Sequence, residues 1–350
     1  MITKIIDDTT VSFLVEEPDD LLVLRRIIQE RDTIVSDTTR VVKQDKDYAR
    51  PDRGERIKVR ISLEVEKIAL DAVFDKLRIS GTILDTTNEA VTKGVHHSIL
   101  VRIGDSFNVV KKKWKPIELK LIKTKDENSG FVLIAIDKGD CGVGKLKGTH
   151  LELMQNMYSG SSGKQYKTNF NIQTFFENVY KALQTILKEN DGIVIFGPGE
   201  TKRQFANFLA NTPISKTRKM ETIDGIDSGG EDGIYTFIKS KFMQQILGQS
   251  KLAKVSAILE EVMIRANNKS RKFTMGYEET KKANDFGAVE SLVFSEKIIQ
   301  THDEGEIIQF LNDVESKGVE VYALDASTDI GLQVSGLGGM LSLLRFAVDV

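Results

Sequence analysis

The sequence predicts a multidomain α+β protein, and three observations carry that prediction. Apolar and polar residues alternate with period two through much of residues 1–127. Residues 131–268 interleave helical periodicity with short apolar runs, as a middle α/β domain would. Residues 271–350 repeat helix–strand pairs on a smaller scale, which predicts a compact three-layer α/β domain with one sheet. Period-two alternation marks half-buried strands, helical spacing marks amphipathic helices, and their mixture marks α/β layering. A chain of 350 residues is long enough for two or three such domains.

In the first domain, Ile57, Val59, Ile61, Leu63 and Val65 alternate with Lys58, Arg60, Ser62 and Glu64, a half-buried strand. Val11/Phe13/Val15, Leu77/Ile79/Ile83, Ile99/Val101/Ile103 and Ile117/Leu119/Leu121 repeat the pattern. Pro18 introduces an amphipathic helix over Asp19–Gln29. Several such strands with short breaks predict a small barrel or strongly bent sheet. Between two of them runs a cationic stretch with Arg50, Arg53 and Arg56, diluted by Asp45, Asp47, Asp52 and Glu55. Pro51 and Gly54 mark it as a loop. Guanidinium groups there suit RNA phosphates and unpaired bases, and a solvated hairpin tip has the same composition. Lys111, Lys112 and Lys113 form a second basic cluster beside the only tryptophan, Trp114. Trp114 reads as a barrel-closing core residue before it reads as a base-stacking platform. His96 and His97 are adjacent in a strand, so they face opposite sides and cannot line one metal site together.

The polar stretch Asp126–Gly130 reads as a linker, and Phe131–Ile136 opens an apolar strand. Asp137–Gly148 reads as a tight glycine-rich hairpin. Met157–Lys167 has a flexible-loop composition with two cations, Lys164 and Lys167. Asn171 caps a helix carrying Phe175, Phe176, Val179 and Leu183. Ile193–Phe196, the turn Gly197-Pro198-Gly199 and a helix with Phe205 and Leu209 form a strand–turn–helix unit, whose turn is a natural contact point. That turn is no phosphate loop: Pro198 lacks an N–H, and no Ser or Thr follows Lys202 to hold magnesium. Ile234–Leu247 and Val255–Ala266 read as helices. In the last domain, helix Tyr277–Phe286 leads to strand Val289–Ser295, and helix Glu306–Ser316 to strand Val319–Leu324.

A net charge of −2 excludes a general polyanion binder and confines basic function to local patches. One cysteine, Cys141, excludes an internal disulfide framework and fits a reducing compartment. No run of about 18 apolar residues occurs, and the first residues lack a signal-peptide core. The expectation is a soluble cytoplasmic monomer.

Five stretches carry a resemblance: Glu16–Leu22, His96–Trp114, Phe196–Phe205, Tyr277–Glu296 and Ser335–Phe346. They resemble Pelota, the archaeal and eukaryotic paralogue of class-1 translation release factors, and the likeness runs from one end of the chain to the other. The resemblance implies an Sm-like first domain, a release-factor-like middle domain and a last domain of the kink-turn-binding ribosomal-protein type. It implies entry into the empty A site of a stalled ribosome, against rRNA and mRNA. The implied partners are an elongation-factor-like translational GTPase and an iron–sulfur ribosome-recycling ATPase. On that reading Arg50, Arg53, Arg56 and Lys111–Lys113 become decoding-site candidates, with Lys164 and Lys167 in the loop where relatives are more basic.

Absent motifs bound the activity. Release factors hydrolyse peptidyl-tRNA with Gly-Gly-Gln; here Gly229-Gly230 precedes Glu231 and Gly338-Gly339 precedes Met340. Asn-Ile-Lys-Ser, the stop-codon motif, is missing as well. The expectation is ribosome rescue of the no-go-decay type without peptide release and without a catalytic residue or cofactor. The resemblance also implies an alternative, a metal-dependent endoribonuclease using a divalent cation. No motif fixes such a site, and Asp7, Asp8, Glu16 and Glu17 are the barrel acids that could be considered for it.

Overall fold

The structure is a computed structural model that describes residues 1–42, 55–71, 76–89, 91–123, 130–160, 171–188, 190–248, 250–326 and 328–349. The chain divides into two compact units, Met1–Lys125 with Arg271–Val350, and Asp126–Ser270.

The first segment holds seven strands: β1 (Ile2–Ile5), β2 (Thr10–Leu14), β3 (Thr33–Val42), β4 (Glu55–Leu70), β5 (Leu77–Thr86), β6 (His96–Val101) and β7 (Ser106–Val110). They form one antiparallel sheet in the order β1-β2-β7-β3-β4-β5-β6. Alternation works as expected: Val59, Ile61, Leu63 and Val65 are buried, and the residues between them are not. Register shifts at Ser62/Leu63 and Val65/Lys67 bend the long strand β4, as bulges do. At that bend β5 comes so close that a Cβ on Gly81 would lie 1.8 Å from the Glu64 carbonyl oxygen.

Helix α1 (Pro18–Ile27) has Pro18 in its first turn, Asp19 and Asp20 there as well, and Arg25 and Arg26 in its last. Both charge placements complement the helix dipole. Leu21, Leu24 and Ile27 join the barrel core. The run Ile117/Leu119/Leu121 is not a strand. It lies in helix α2 (Pro116–Lys123), where Pro116 starts the helix and Glu118 accepts the Lys115 N–H at 2.8 Å. Three apolar residues at alternate positions do not outweigh a proline start and an acidic first turn.

The second unit is built on a mixed sheet of β8 (Phe131–Ile136), β9 (Asp140–Lys147), β10 (His150–Leu153), β11 (Met157–Tyr158), β12 (Gly192–Phe196) and β13 (Met220–Thr222). Strands β8, β12 and β13 run parallel, and β9 joins β8 antiparallel. Helix α3 (Ile172–Ile186) begins at Asn171, whose side chain accepts the Gln173 N–H at 2.9 Å. With α4 (Thr201–Ala210) it covers one face, burying Phe175, Phe176, Phe205 and Leu209 on Val132, Ile134, Ile193 and Ile195. The span Ile234–Leu247 is two helices rather than one, α5 (Gly230–Ile238) and α6 (Lys241–Ile246), broken where Ser240 Oγ donates to the Phe237 carbonyl at 2.6 Å. Phe237 of α5 stacks on Phe196 of β12 at 4.6 Å between ring centroids. Helix α7 (Lys251–Asn267) follows, capped by Ser250.

The last segment has strands β14 (Phe273–Met275), β15 (Val289–Ser295), β16 (Glu320–Leu324) and β17 (Met340–Leu344) in the order β14-β17-β15-β16. Its helices are α8 (Tyr277–Asp285), α9 (Lys297–Thr301), α10 (Glu304–Ser316) and α11 (Asp329–Gly336). Leu292, Phe294, Met340 and Leu344 form a core with α8, α9 and α10. Val293, Leu341 and Leu343 alternate with them and so face the other side, where α11 lies against β15 and β17. The three layers are helices, sheet and helix.

Candidate nucleic-acid interface

The hairpin β3–β4 pairs from Thr33↔Glu64 to Val42↔Glu55. Arg50 and Arg53 lie in the connection between these strands, outside the described residues. Arg56 is placed in β4 opposite Val41, and only its backbone is described. Lower on the hairpin, Lys58 stands opposite Thr39 and is exposed, with no acidic partner among the described residues. Arg60 stands opposite Asp37 and pairs with it, Nε to Oδ1 at 3.1 Å. Beside the hairpin, Arg78 pairs with Asp71 at 3.4 Å and Lys93 with Asp85 at 2.6 Å, and His96 Nε2 lies 3.2 Å from Glu66. His97 turns the other way and meets Thr38 Oγ1 at 3.2 Å. The described sheet surface is thus close to charge-neutral.

The basic cluster before α2 is divided by its own alternation. Phe107, Val109 and Lys111 all point inward from β7 and its extension. Lys111 is only 5% exposed, and its Nζ donates to the Ile27 carbonyl at 2.7 Å and pairs with Asp32 at 2.7 Å and Glu118 at 3.1 Å. It also lies over the Trp114 ring. Lys111 is therefore corrected from a surface RNA contact to an internal tie between β7, α1 and α2; a buried ammonium so held cannot reach a phosphate. Burial, the largest influence, pushes the Asp32 carboxyl up, and the Lys111 ammonium opposes it. Lys112 and Lys113 stay exposed, with no acidic partner among the described residues. Trp114 is buried, and its Nε1 donates to the Thr9 carbonyl at 3.0 Å, the core role expected of it.

Lys112 and Lys113 follow β7 at the end of β3 away from Arg56. Strand β7 ends at Val110 beside Thr33, the first residue of the ten-residue strand β3. Arg56 of β4 stands opposite Val41, eight residues further along β3, roughly 26 Å away at about 3.3 Å per residue.

In the second unit the turn at Pro198 and Gly199 projects past β12, and its charges are satisfied internally. Gly197 has φ 137°, and a Cβ there would lie 2.2 Å from the Ile136 carbonyl oxygen. Lys202 Nζ folds back to donate to the Gly197 carbonyl at 2.7 Å and meets Asp224 at 3.1 Å. Arg203 pairs with Glu200 at 2.7 Å and Asp224 at 3.0 Å. Hydrogen bonds from Lys202 and Arg203 hold the Asp224 carboxyl below its ordinary range. Lys164 and Lys167 lie outside the described residues.

No hydrolytic loop takes shape at the Gly-Gly pairs. Gly229 caps α5, and Gly230, its first residue, is buried against β9. Gly338-Gly339 leads directly into β17. Cys141 is fully buried, and burial pushes its thiol far up, so it is no nucleophile.

Of the four barrel acids considered for a metal, Asp8 is exposed and the other three are engaged within the fold. Asp7 Oδ1 accepts the N–H groups of Thr9 and Thr10, each at 2.8 Å, and closes a turn. Glu16 meets the Met1 ammonium at 3.1 Å, and Glu17 is the N-cap residue of α1. Among the described residues no three His, Cys, Asp or Glu side chains gather as a metal site. These residues do not fit a divalent cation. Among the described residues no helix is long and apolar enough to cross a membrane.

Comparison with known proteins places these observations. A family model described as the Pelota N-terminal domain matches residues 2–125, and one described as eRF1 domain 3 matches residues 252–348. A Pelota homologue of Nitrosopumilus maritimus is 60% identical over 349 residues, covering 100% of both chains. One from Cenarchaeum symbiosum is 42% identical over 346 residues, 99% of each. The crystal structure of the Thermoplasma acidophilum Pelota protein shares the fold, with a TM-score of 0.65 at 22% identity, over 99% of this chain and 100% of that one.

Proposed function

The chain belongs to the Pelota family, and from that premise we propose that it is a ribosome-rescue and mRNA-surveillance factor. It enters the A site of a stalled ribosome in the cytoplasm and promotes release of the non-functional particle and decay of the damaged mRNA. It does so without hydrolysing peptidyl-tRNA. The observation that carries this reading is 60% identity with a curated family member over the full chain, combined with the absence of Gly-Gly-Gln from the sequence.

The family premise supplies the partners: an elongation-factor-like GTPase for delivery and an iron–sulfur ATPase for splitting the subunits. The barrel supports contact with rRNA and mRNA through the β3–β4 hairpin, whose connection carries Arg50 and Arg53, and through Lys112 and Lys113. The reading invokes no metal, since Asp7, Glu16 and Glu17 are committed to a turn, an ion pair and a helix cap, and no metal-ligating cluster forms among the described residues. The test is subunit dissociation of stalled archaeal ribosomes with both partners present. Adding the protein should accelerate dissociation while peptidyl-tRNA stays intact. Unchanged dissociation would count against the reading, and peptide release would contradict its second half.

A further inference from the structure

We propose that helices α1 and α10 form a releasable latch between the barrel and the last α/β module, closed by Arg25 and Arg26. The Arg26 guanidinium, 7% exposed, donates from Nε to Asn312 Oδ1 at 2.8 Å. Its Nη2 donates to the Leu311 carbonyl at 3.3 Å and to Glu315 Oε2 at 2.5 Å. Asn312 answers by donating from Nδ2 to the Arg26 carbonyl at 3.2 Å. Beside it, Arg25 Nε donates to Glu304, whose carboxylate also accepts the Leu70 N–H at 3.2 Å. One carboxylate on α10 thus holds both α1 and the end of β4.

Three features make this a latch rather than a shared core. The barrel and the last module each close their own apolar core, and Leu22 is the one buried barrel-segment residue in the core of the module. Leu70 packs partly buried against both cores, and around these two leucines the contact is polar and joins residues almost the full chain apart. A guanidinium held by acceptors in fixed directions has little tolerance for sliding, so its bonds hold or fail together. Once loosened, a buried charge is left without its partner unless the two faces separate and water reaches it. Interfaces of this polar kind between domains of one chain are those that move. Release would bare a dibasic face on α1 and an acidic face on α10 at the same time.

Hydrogen exchange of the full chain tests the latch, read on peptides from α1, α10 and the β3–β5 core. Arg26→Glu and Glu315→Arg should each accelerate exchange at least tenfold in α10 and at the end of α1, with the β3–β5 peptides unchanged. The charge-swapped double variant should recover at least half of the logarithmic change. Asn312→Ala, which introduces no charge, should accelerate the same peptides at least threefold and carries the test if a reversal prevents folding. Unchanged α10 exchange in Asn312→Ala would overturn the proposal. So would acceleration spread equally through β3–β5, since α1 would then be part of one cooperative core.

Discussion

Among single residues, Lys111 most changes the reading of the barrel. Three consecutive lysines look like one patch, yet strand alternation sends the first inward with Phe107 and Val109. That alternation was available in the sequence; what it could not supply were Asp32 and Glu118, which make an inward lysine affordable. Replacing Lys111 with Ala leaves two acids and the Ile27 carbonyl without their common donor. Removing one partner of a buried ionic group typically costs about 3–5 kcal/mol. Lys111→Ala should therefore lower the unfolding free energy by about 3–5 kcal/mol, read as a fall in the denaturant midpoint. Lys112→Glu with Lys113→Glu should leave the midpoint nearly unchanged and weaken ribosome binding. Equal midpoints for the two variants would remove the distinction drawn between these lysines.

At the scale of elements, strands with long alternation were legible and short or interrupted patterns were not. Ile57–Val65 reads as a strand because nine residues keep one period. Ile117–Leu121 is too short for its period to decide, and Pro116 with Glu118 made it α2. The break between α5 and α6 depends on a Ser240 hydroxyl bonded to the preceding turn, which no periodicity announces. The cross-chain partners of α1 were equally invisible, because nothing local links Arg26 to Asn312. Element contacts also set the response to acid. Between α8 and α10, hydrogen bonds from Lys281 and Tyr277 hold the Glu306 carboxyl low. The Lys317 ammonium and the Asn284 amide do the same for Asp313. A carboxyl depressed by folding contributes stability above its unfolded value, and that contribution is lost as pH falls through the folded one. In the barrel, burial raises Asp20 and Asp32, so acid relieves a cost there instead. Below about pH 4, where free carboxyls titrate, amide exchange should rise in α8 and α10 before it rises in β3 and β4. Glu306→Gln with Asp313→Asn should remove that early rise. A barrel that opens first would reverse the assignment.

For the whole molecule, the net charge of −2 means that affinity for a ribosome must come from where cations are placed. The barrel segment offers two candidates, the connection from β3 to β4 with Arg56 and the pair Lys112 and Lys113. Phosphate contacts release counterions, so each one adds somewhat less than one unit to the slope of log affinity against log salt. Arg50, Arg53 and Arg56 reversed to Glu should lower that slope by about 2–3 if all three meet phosphates. Lys112 and Lys113 reversed should lower it by about 1–2. Sites more than about 10 Å apart with no common partner contribute independently, and Arg56 is separated from the end of β7 by most of the length of β3. The combined five-residue variant should therefore show the sum of the two decreases at every salt concentration. If the second set of reversals changes nothing once the first is present, the two patches do not touch RNA in the same complex. A slope unmoved by either set would take the barrel off the nucleic acid altogether and shift the burden of ribosome binding to other parts of the chain.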